Sequence, residues 1–73
     1  MNTETFKGYL PTEDELLQTE ACYDMAMKRI SKQFPETNPD NYADRVWFAV
    51  SGTVVHSGYE AAKDYALNAE IHV

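Results

Sequence analysis

The sequence predicts an all-α protein, a small three-helix bundle with an extended N-terminal arm. Three patterns typical of helix N-termini predict it, at 12–15, 38–40 and 57–60. A chain of 73 residues has room for one core, so we expect a single helical domain over 1–73. The predicted arm and the three predicted helices cover 1–10, 12–34, 39–56 and 58–71.

The first helix has clear signals at both ends. Thr12 and Glu15 can form a capping box, in which each side chain accepts a hydrogen bond from the other residue's backbone N–H. Pro35 disfavours helical geometry at Phe34, so regular helix is expected over Glu13–Gln33. The basic residues near its negative end are Lys28, Arg29 and Lys32. The apolar residues on its predicted inner face are Leu16, Tyr23, Ala26, Met27, Ile30 and Phe34.

The second helix contains the densest apolar run of the chain. Its start is predicted at Asn38-Pro39-Asp40, because Asn can cap a helix and Pro suits the first helical position. The residues on its predicted inner face are Ala43, Val46, Trp47, Val50 and Val54. We expect Trp47 at the centre of the core, and Gly52 where another helix packs closely.

An alternative interpretation of 45–56 is a β-hairpin, which would give an α+β fold. VWFAV and TVVH would be its strands, and Ser51-Gly52 its two-residue turn. The valine-rich composition supports this, and Gly52 costs a helix about 1 kcal/mol relative to Ala. We favour the helix because a helix that starts at Pro39 would otherwise have to end almost at once.

The third helix is predicted from a second capping-box pattern, Ser57 with Glu60. Its predicted inner face consists of Tyr59, Ala62, Tyr65, Ala66 and Ala69. Because this face is rich in alanine, the helix can approach its neighbours closely.

The charge balance bears on the kind of partner. Twelve acidic residues outnumber six basic ones, for a net charge of −6, which disfavours nucleic acid as a direct ligand. A helix-turn-helix DNA-binding protein is the alternative to consider, with 59–70 as the reading helix. Lys63 is the only basic residue of that segment, so this alternative is disfavoured.

The expected cellular compartment follows from the N-terminal residues, the length of the apolar runs and the single cysteine. Residues 1–10 lack the basic and apolar pattern of a signal peptide, and no apolar run is long enough to span a bilayer. Cys22 is the only cysteine, so no intrachain disulfide can form, and we expect it as a small buried hydrophobe. A cytoplasmic protein without a membrane partner is expected.

Patterns typical of enzymes are missing from the sequence. It contains no Gly-rich phosphate loop, and neither His56 nor His72 has a cysteine or second histidine at metal-ligand spacing. Ser51 and Ser57 stand beside glycines, where turn or capping roles explain them. We therefore expect no enzymatic activity, no cofactor, no metal and no small-molecule substrate.

Two surface features point to a protein partner instead. The first is an acidic stripe on the first helix, formed by Glu13, Glu20 and Asp24, which fall within about 40° on a helical wheel. The stripe is either a solvated face or a surface for a basic partner. The second feature is a set of large apolar residues outside the inner faces: Leu17, Met25, Phe48, Val55, Leu67 and Ile71. One small core cannot cover them all, and exposed apolar patches mark interfaces.

These surfaces predict a small acidic protein-binding module, an adaptor or inhibitor. Its expected contact residues are Glu13, Glu20, Asp24, Leu17, Phe48, Val55, Leu67 and Ile71. By analogy, short acidic chains without catalytic residues occur among phage and mobile-element accessory proteins that block host factors. A self-associating structural subunit, most simply a homodimer, is the main alternative.

Overall fold

Three α-helices make up the fold of residues 12–71, the part of the chain that the computed structural model describes. They are α1 (Glu13–Gln33), α2 (Ala43–Ser57) and α3 (Tyr59–Asn68), with a 3-10 turn at Pro39–Asn41 before α2. Each helix packs against the other two, and these residues contain no strand. The predicted all-α bundle is confirmed, and the hairpin at 45–56 is wrong. The predicted arm at 1–10 lies outside the described residues.

Helix α1 begins and ends where the sequence predicts. The backbone N–H of Thr12 donates to Glu15 Oε1 at 2.8 Å, and that of Glu15 donates to Thr12 Oγ1 at 3.2 Å, so the capping box is complete. Phe34 leaves helical geometry (φ −130°, ψ 67°) immediately before Pro35. Local capping and the proline therefore account for both ends of this helix.

The buried face of α1 is rotated relative to the prediction. Its fully buried residues are Thr19, Cys22, Ala26 and Ile30. Leu16 was expected inside but is 39% exposed, while Tyr23, Met27 and Phe34 pack at the margin of the core. Thr19 can be buried because its hydroxyl donates to the carbonyl oxygen of Glu15 at 2.8 Å, so its polar atom has a partner within the helix.

Helix α2 begins at Ala43 and not at Pro39. Asn38 does act as a cap, since its side chain accepts from the backbone N–H of Asp40 at 3.1 Å, but the turn that it starts is only Pro39–Asn41. Tyr42 then departs from helical geometry (φ −124°, ψ −5°), and its ring is buried in the core. Asn38 is therefore a cap, as predicted, but the element that it begins is a short 3-10 turn and not α2.

The centre of the core is a row of valines and not Trp47. Val46, Val50 and Val54 repeat every four residues on α2 and are buried. Trp47 is half-buried and meets Tyr23 of α1 edge to face, with ring centroids 5.2 Å apart and planes at 78°. The indole therefore packs at the edge of the contact between α1 and α2, and not at its centre.

A single residue, Gly58, joins α2 to α3. Its φ of 93° and ψ of 172° lie in a region that residues with a side chain rarely adopt. Its N–H donates to the carbonyl oxygens of Thr53 and Val54, both at 3.0 Å, and so closes the end of α2. The predicted Ser57–Glu60 capping box is wrong, because Ser57 is the last residue of α2 and no side chain caps α3.

Helix α3 approaches its neighbours through alanine, as expected. Ala62 and Ala66 are fully buried, whereas Tyr59, Tyr65 and Ala69 are half-buried around them. The helix ends at Asn68, three residues short of the prediction.

Arg29 of α1 closes this end of α3. Its Nε donates to the carbonyl oxygen of Ala66 at 2.7 Å, and its Nη2 to that of Ala69 at 2.6 Å. Arg29 was expected to interact with the negative end of the dipole of α1, and it instead hydrogen-bonds the last carbonyls of α3.

Candidate protein-binding surface

The bundle covers about half of the apolar residues that were expected outside it. The exposed ones are Phe48 (75%), Leu17 (60%) and Leu67 (50%). The half-buried ones are Met25, Val55 and Ile71, and Met25 and Ile71 pack against the core. The expectation that the bundle leaves Met25 and Ile71 uncovered is therefore wrong. A helical wheel underestimates how much of a side chain at the edge of a buried face is covered by the neighbouring helices.

The three exposed residues do not form one patch. Each lies at least about 100° around its own helix from the residues that its helix buries. Because the helices surround a common core, faces that point away from the core also point away from one another. Phe48, Leu17 and Leu67 therefore belong to separate surfaces.

Four uncharged residues of α2 face outward together, and we call them the α2 outer face: Phe48, Ser51, Gly52 and Val55. The exposed charged residues Asp44 and Arg45 lie one helical turn before Phe48. Phe48 and Gly52 are one helical turn apart, on the side opposite the buried valines. A Cβ built on Gly52 would have no heavy atom within 4 Å, so the space above this glycine is open, and we call it the hollow at Gly52. The expected close packing against Gly52 is wrong. From Val46 to Ser57 the only ionisable residue is His56.

The outer side of α1 has the opposite character. The acidic stripe, Glu13, Glu20 and Asp24, is fully on the surface, and Leu17 lies within the same sector of about 60°. Asp24 forms an exposed ion pair with Lys28, 3.2 Å between Oδ2 and Nζ, which offsets part of the stripe's charge. Glu13 and Glu20 provide the remaining carboxylates of this surface.

The outer side of α3 also carries charge. Lys63 lies 3.7 Å from Glu60 Oε1, and its ammonium is 5.5 Å from the centroid of the Tyr59 ring. The only basic side chain of the helix is thus held by its own neighbours. Of the three helices, α2 is the one with an uncharged, largely apolar stretch on its outward side, from Phe48 to Val55, after the exposed pair of opposite charges Asp44 and Arg45.

A cavity of about 240 Å³ lies between the start of α2 and the end of α3. The residues that line it are Tyr42, Arg45, Val46, Tyr65, Glu70 and Ile71. The hydroxyl of Tyr42 is buried without a hydrogen-bond partner among the described residues. Arg45 and Glu70 bring opposite charges to the lining, so its electrostatics favour neither an anion nor a cation.

Cys22 is fully buried between the helices, as the sequence predicts for a small hydrophobe. Burial raises the pKa of its thiol, an effect that Lys63 reduces and Glu60 reinforces. A thiol held in its protonated form is a poor nucleophile. Within residues 12–71, no group of three or more His, Cys, Asp or Glu side chains is placed to hold a metal ion.

Comparison with known proteins adds no relative: no protein-family model, no curated protein and no solved structure matches the chain. Across residues 12–71, no helix combines the length and the apolar character that crossing a membrane requires. Fold and surface together define a small all-α bundle with an uncharged, largely apolar patch on α2, the α2 outer face, and an acidic stripe on α1.

Two features of this surface escaped the sequence analysis. The hollow at Gly52 was missed because the glycine was assigned to the core. A glycine four residues after an outward-facing Phe48, in a stretch without charge, was the available signal. Tyr42 was missed because the helix was started before it, so its position was read as part of a regular helical wheel.

Proposed function

We propose that this protein is a non-enzymatic protein-binding module whose main contact surface is the α2 outer face, with Phe48 as its anchor. The observation that carries the proposal is the 75% exposure of Phe48 at the start of an uncharged stretch of α2 that extends to Val55. Interface centres are depleted of charge and enriched in aromatic residues, and a few such anchors supply most of the binding energy. A phenylalanine held in water has binding energy to contribute when a partner covers it.

A second surface supports an adaptor role. The acidic stripe and Leu17 lie on α1, a different helix from that of Phe48, and they suit a basic partner. Two faces of different chemistry allow two different proteins to bind at once. A cytoplasmic adaptor, or an inhibitor that covers a basic surface of its target, uses both faces.

The alternative of a helix-turn-helix DNA-binding protein has less support. The joint between α2 and α3 is the single residue Gly58, whereas that motif uses a turn of about 3–4 residues. The one basic side chain of α3, Lys63, pairs with Glu60. The geometry thus favours a protein partner over DNA.

The test is affinity capture from cells that contain the protein, with substitutions on each face. Phe48→Asp should lose a partner that the parent captures, because it places a charge at the centre of an apolar contact. Leu67→Asp is the matched control, an equally drastic change at an exposed apolar residue of α3, and it should keep that partner. Circular dichroism should show both variants folded.

The acidic stripe is tested separately. Changing Glu13, Glu20 and Asp24 together to Gln should slow association with a basic partner, and added salt should weaken the parent's binding. Equal capture by the parent, Phe48→Asp and the triple Gln variant would remove both faces as contact surfaces.

A further inference from the structure

We propose that the α2 outer face binds a second copy of this chain, with Phe48 of each copy seated in the hollow at Gly52 of the other. This inference rests on the proposed function, since it uses the same face and names its partner. It places two α2 helices antiparallel across a two-fold axis at the level of residue 50.

The geometry of the face makes it complementary to itself. In an antiparallel pair with its axis at residue 50, the residue two before the axis faces the residue two after it on the other copy. Phe48 therefore faces Gly52 of its partner, and the contact occurs twice. One helical turn carries both the projecting ring and the hollow that can receive it.

Space at Gly52 permits this contact. Nothing lies within 4 Å of the position that a Cβ would occupy, and without a side chain the two helix backbones can approach closely. An aromatic ring inserted there packs as a knob into a hole formed by residues of the facing helix. Ser51 and Val55, both half-buried at the edge of the hollow, would complete its wall.

Charge also favours a second copy at this face. Two chains of net charge −6 repel each other, so they can meet best where neither presents a charged side chain. The outward side of α2 comes nearest to this condition, since it is uncharged from Phe48 to Val55 and its charged residues, Asp44 and Arg45, are of opposite sign. The outward sides of α1 and α3 carry Glu20, Asp24, Glu60 and Asp64. A basic partner would instead be attracted to the acidic stripe.

The pairing should be weak. Helix α2 has 15 residues and is about 22 Å long, so a contact along this one helix is small. Stable interfaces bury about 800 Å² per partner. Association should therefore be weak and should depend on concentration, as it does for the small interfaces of transient encounters. Added salt should strengthen it, because salt screens the repulsion between two acidic chains.

The decisive experiment exchanges the ring and the hollow. Sedimentation equilibrium is measured for the parent, for Phe48→Ala, for Gly52→Phe and for the double variant Phe48→Ala/Gly52→Phe. Each single change should weaken dimerisation at least tenfold, because the first removes the ring and the second fills the hollow. The double variant should regain association, since position 52 then carries the ring and faces a small residue at position 48.

The Gly52→Phe variant separates this geometry from nonspecific attraction between apolar surfaces. It exposes a second phenylalanine, so nonspecific association would increase, whereas the proposed pairing predicts a decrease. Leu67→Ala, on α3, is the control and should leave dimerisation unchanged. Thermal melts followed by circular dichroism establish that each variant folds.

A parent that stays monomeric up to 1 mM at high salt overturns the inference, as does a double variant that fails to regain association. The proposed function survives either result if Phe48→Asp still loses a captured partner that Leu67→Asp keeps. A parent that dimerises through Phe48 and captures no other protein leaves the inference standing and removes the adaptor role.

Discussion

Arg29 donates from Nε to the carbonyl oxygen of Ala66 at 2.7 Å, across the contact between α1 and α3. The same guanidinium reaches the carbonyl oxygen of Ala69 at 2.6 Å, beyond the end of α3. The last carbonyls of a helix have no partner within the helix, and a cation there also interacts favourably with the helix dipole. One side chain of the first helix thus fixes where the last one ends.

Arg29→Ala should lower the free energy of unfolding by about 2 kcal/mol, because it removes two charge-assisted hydrogen bonds that are partly buried. Arg29→Lys should recover only part of this loss, since an ammonium cannot copy the planar fork. Lys28→Ala is the control and should cost about 0.5 kcal/mol or less, because its pair with Asp24 is exposed. Urea unfolding measures all three. Equal urea midpoints for Arg29→Ala and Lys28→Ala would mean that the bonds from Arg29 to the end of α3 do not stabilise the protein.

The two glycines of the α2 region should respond in opposite ways to alanine. Gly52→Ala should stabilise the monomer by about 0.5–1 kcal/mol, since the site is helical and a Cβ there meets no atom. Gly58→Ala should destabilise it by about 1–3 kcal/mol, because a φ of 93° with a ψ of 172° strains any side chain. Thermal melts at low micromolar concentration keep self-association out of the comparison. The same sign of change for both variants would show that α2 or its joint differs from this description.

Trp47→Ala should leave a folded protein. A fully buried aromatic residue typically costs about 3–5 kcal/mol on truncation, and the half-buried indole should cost less than that. Its edge-to-face contact with Tyr23 should appear in a double-mutant cycle as a coupling of about 0.5–1.5 kcal/mol. Tyr23→Leu and Trp47→Leu, singly and together, provide the cycle. If the Trp47→Ala chain were unfolded, the indole would have to lie at the centre of the core, contrary to this prediction.

Tyr42→Phe should be neutral or stabilising by up to about 1 kcal/mol. The change removes a buried hydroxyl that has no partner among the described residues, and leaving such a group unpaired costs about 1–3 kcal/mol. Tyr42→Leu provides the contrast: it removes the ring as well and should be destabilising. Denaturant unfolding compares the two, and a clear loss of stability in Tyr42→Phe would mean that the hydroxyl has a partner.

The thiol of Cys22 should make stability decline at alkaline pH. Burial raises its pKa above the ordinary 9.0, so the folded protein keeps the proton at a pH where the unfolded chain loses it. This contribution is complete below about pH 9 and is lost as pH rises from there through the folded pKa. Cys22→Ala should be less stable overall but should lack this part of the slope. Denaturant unfolding between pH 8 and 10.5 measures the free energy of unfolding of both proteins. If it declined equally with pH in the parent and in Cys22→Ala, the buried thiol would not be the cause.

What the sequence predicts well in this protein is local. The start and end of α1 follow from Thr12, Glu15 and Pro35, whose effects act within a few residues of each. The alanine face of α3 follows from periodicity alone. Neither result depends on how the helices are arranged in space.

What could not be predicted depends on helix orientation. Trp47 was predicted at the centre from its hydrophobicity and size, which do not show that α2 is oriented with Val46, Val50 and Val54 inward and the indole at the margin. Gly52 was assigned to packing although it lies on the outward side, since a wheel cannot say which edge of an apolar stripe is buried. The bond from Arg29 to Ala66 spans 37 residues, and no local pattern encodes it.

The one-residue joint at Gly58 has a consequence for how the chain length can vary. Inserting one residue there would turn α3 by about 100° relative to α2 and move Ala61 and Tyr65 into the places of Ala62 and Ala66. A tyrosine forced into a space shaped for alanine overpacks the core. Insertions and deletions are therefore compatible with this fold at 34–41, where most side chains are exposed, and incompatible with it at 57–59.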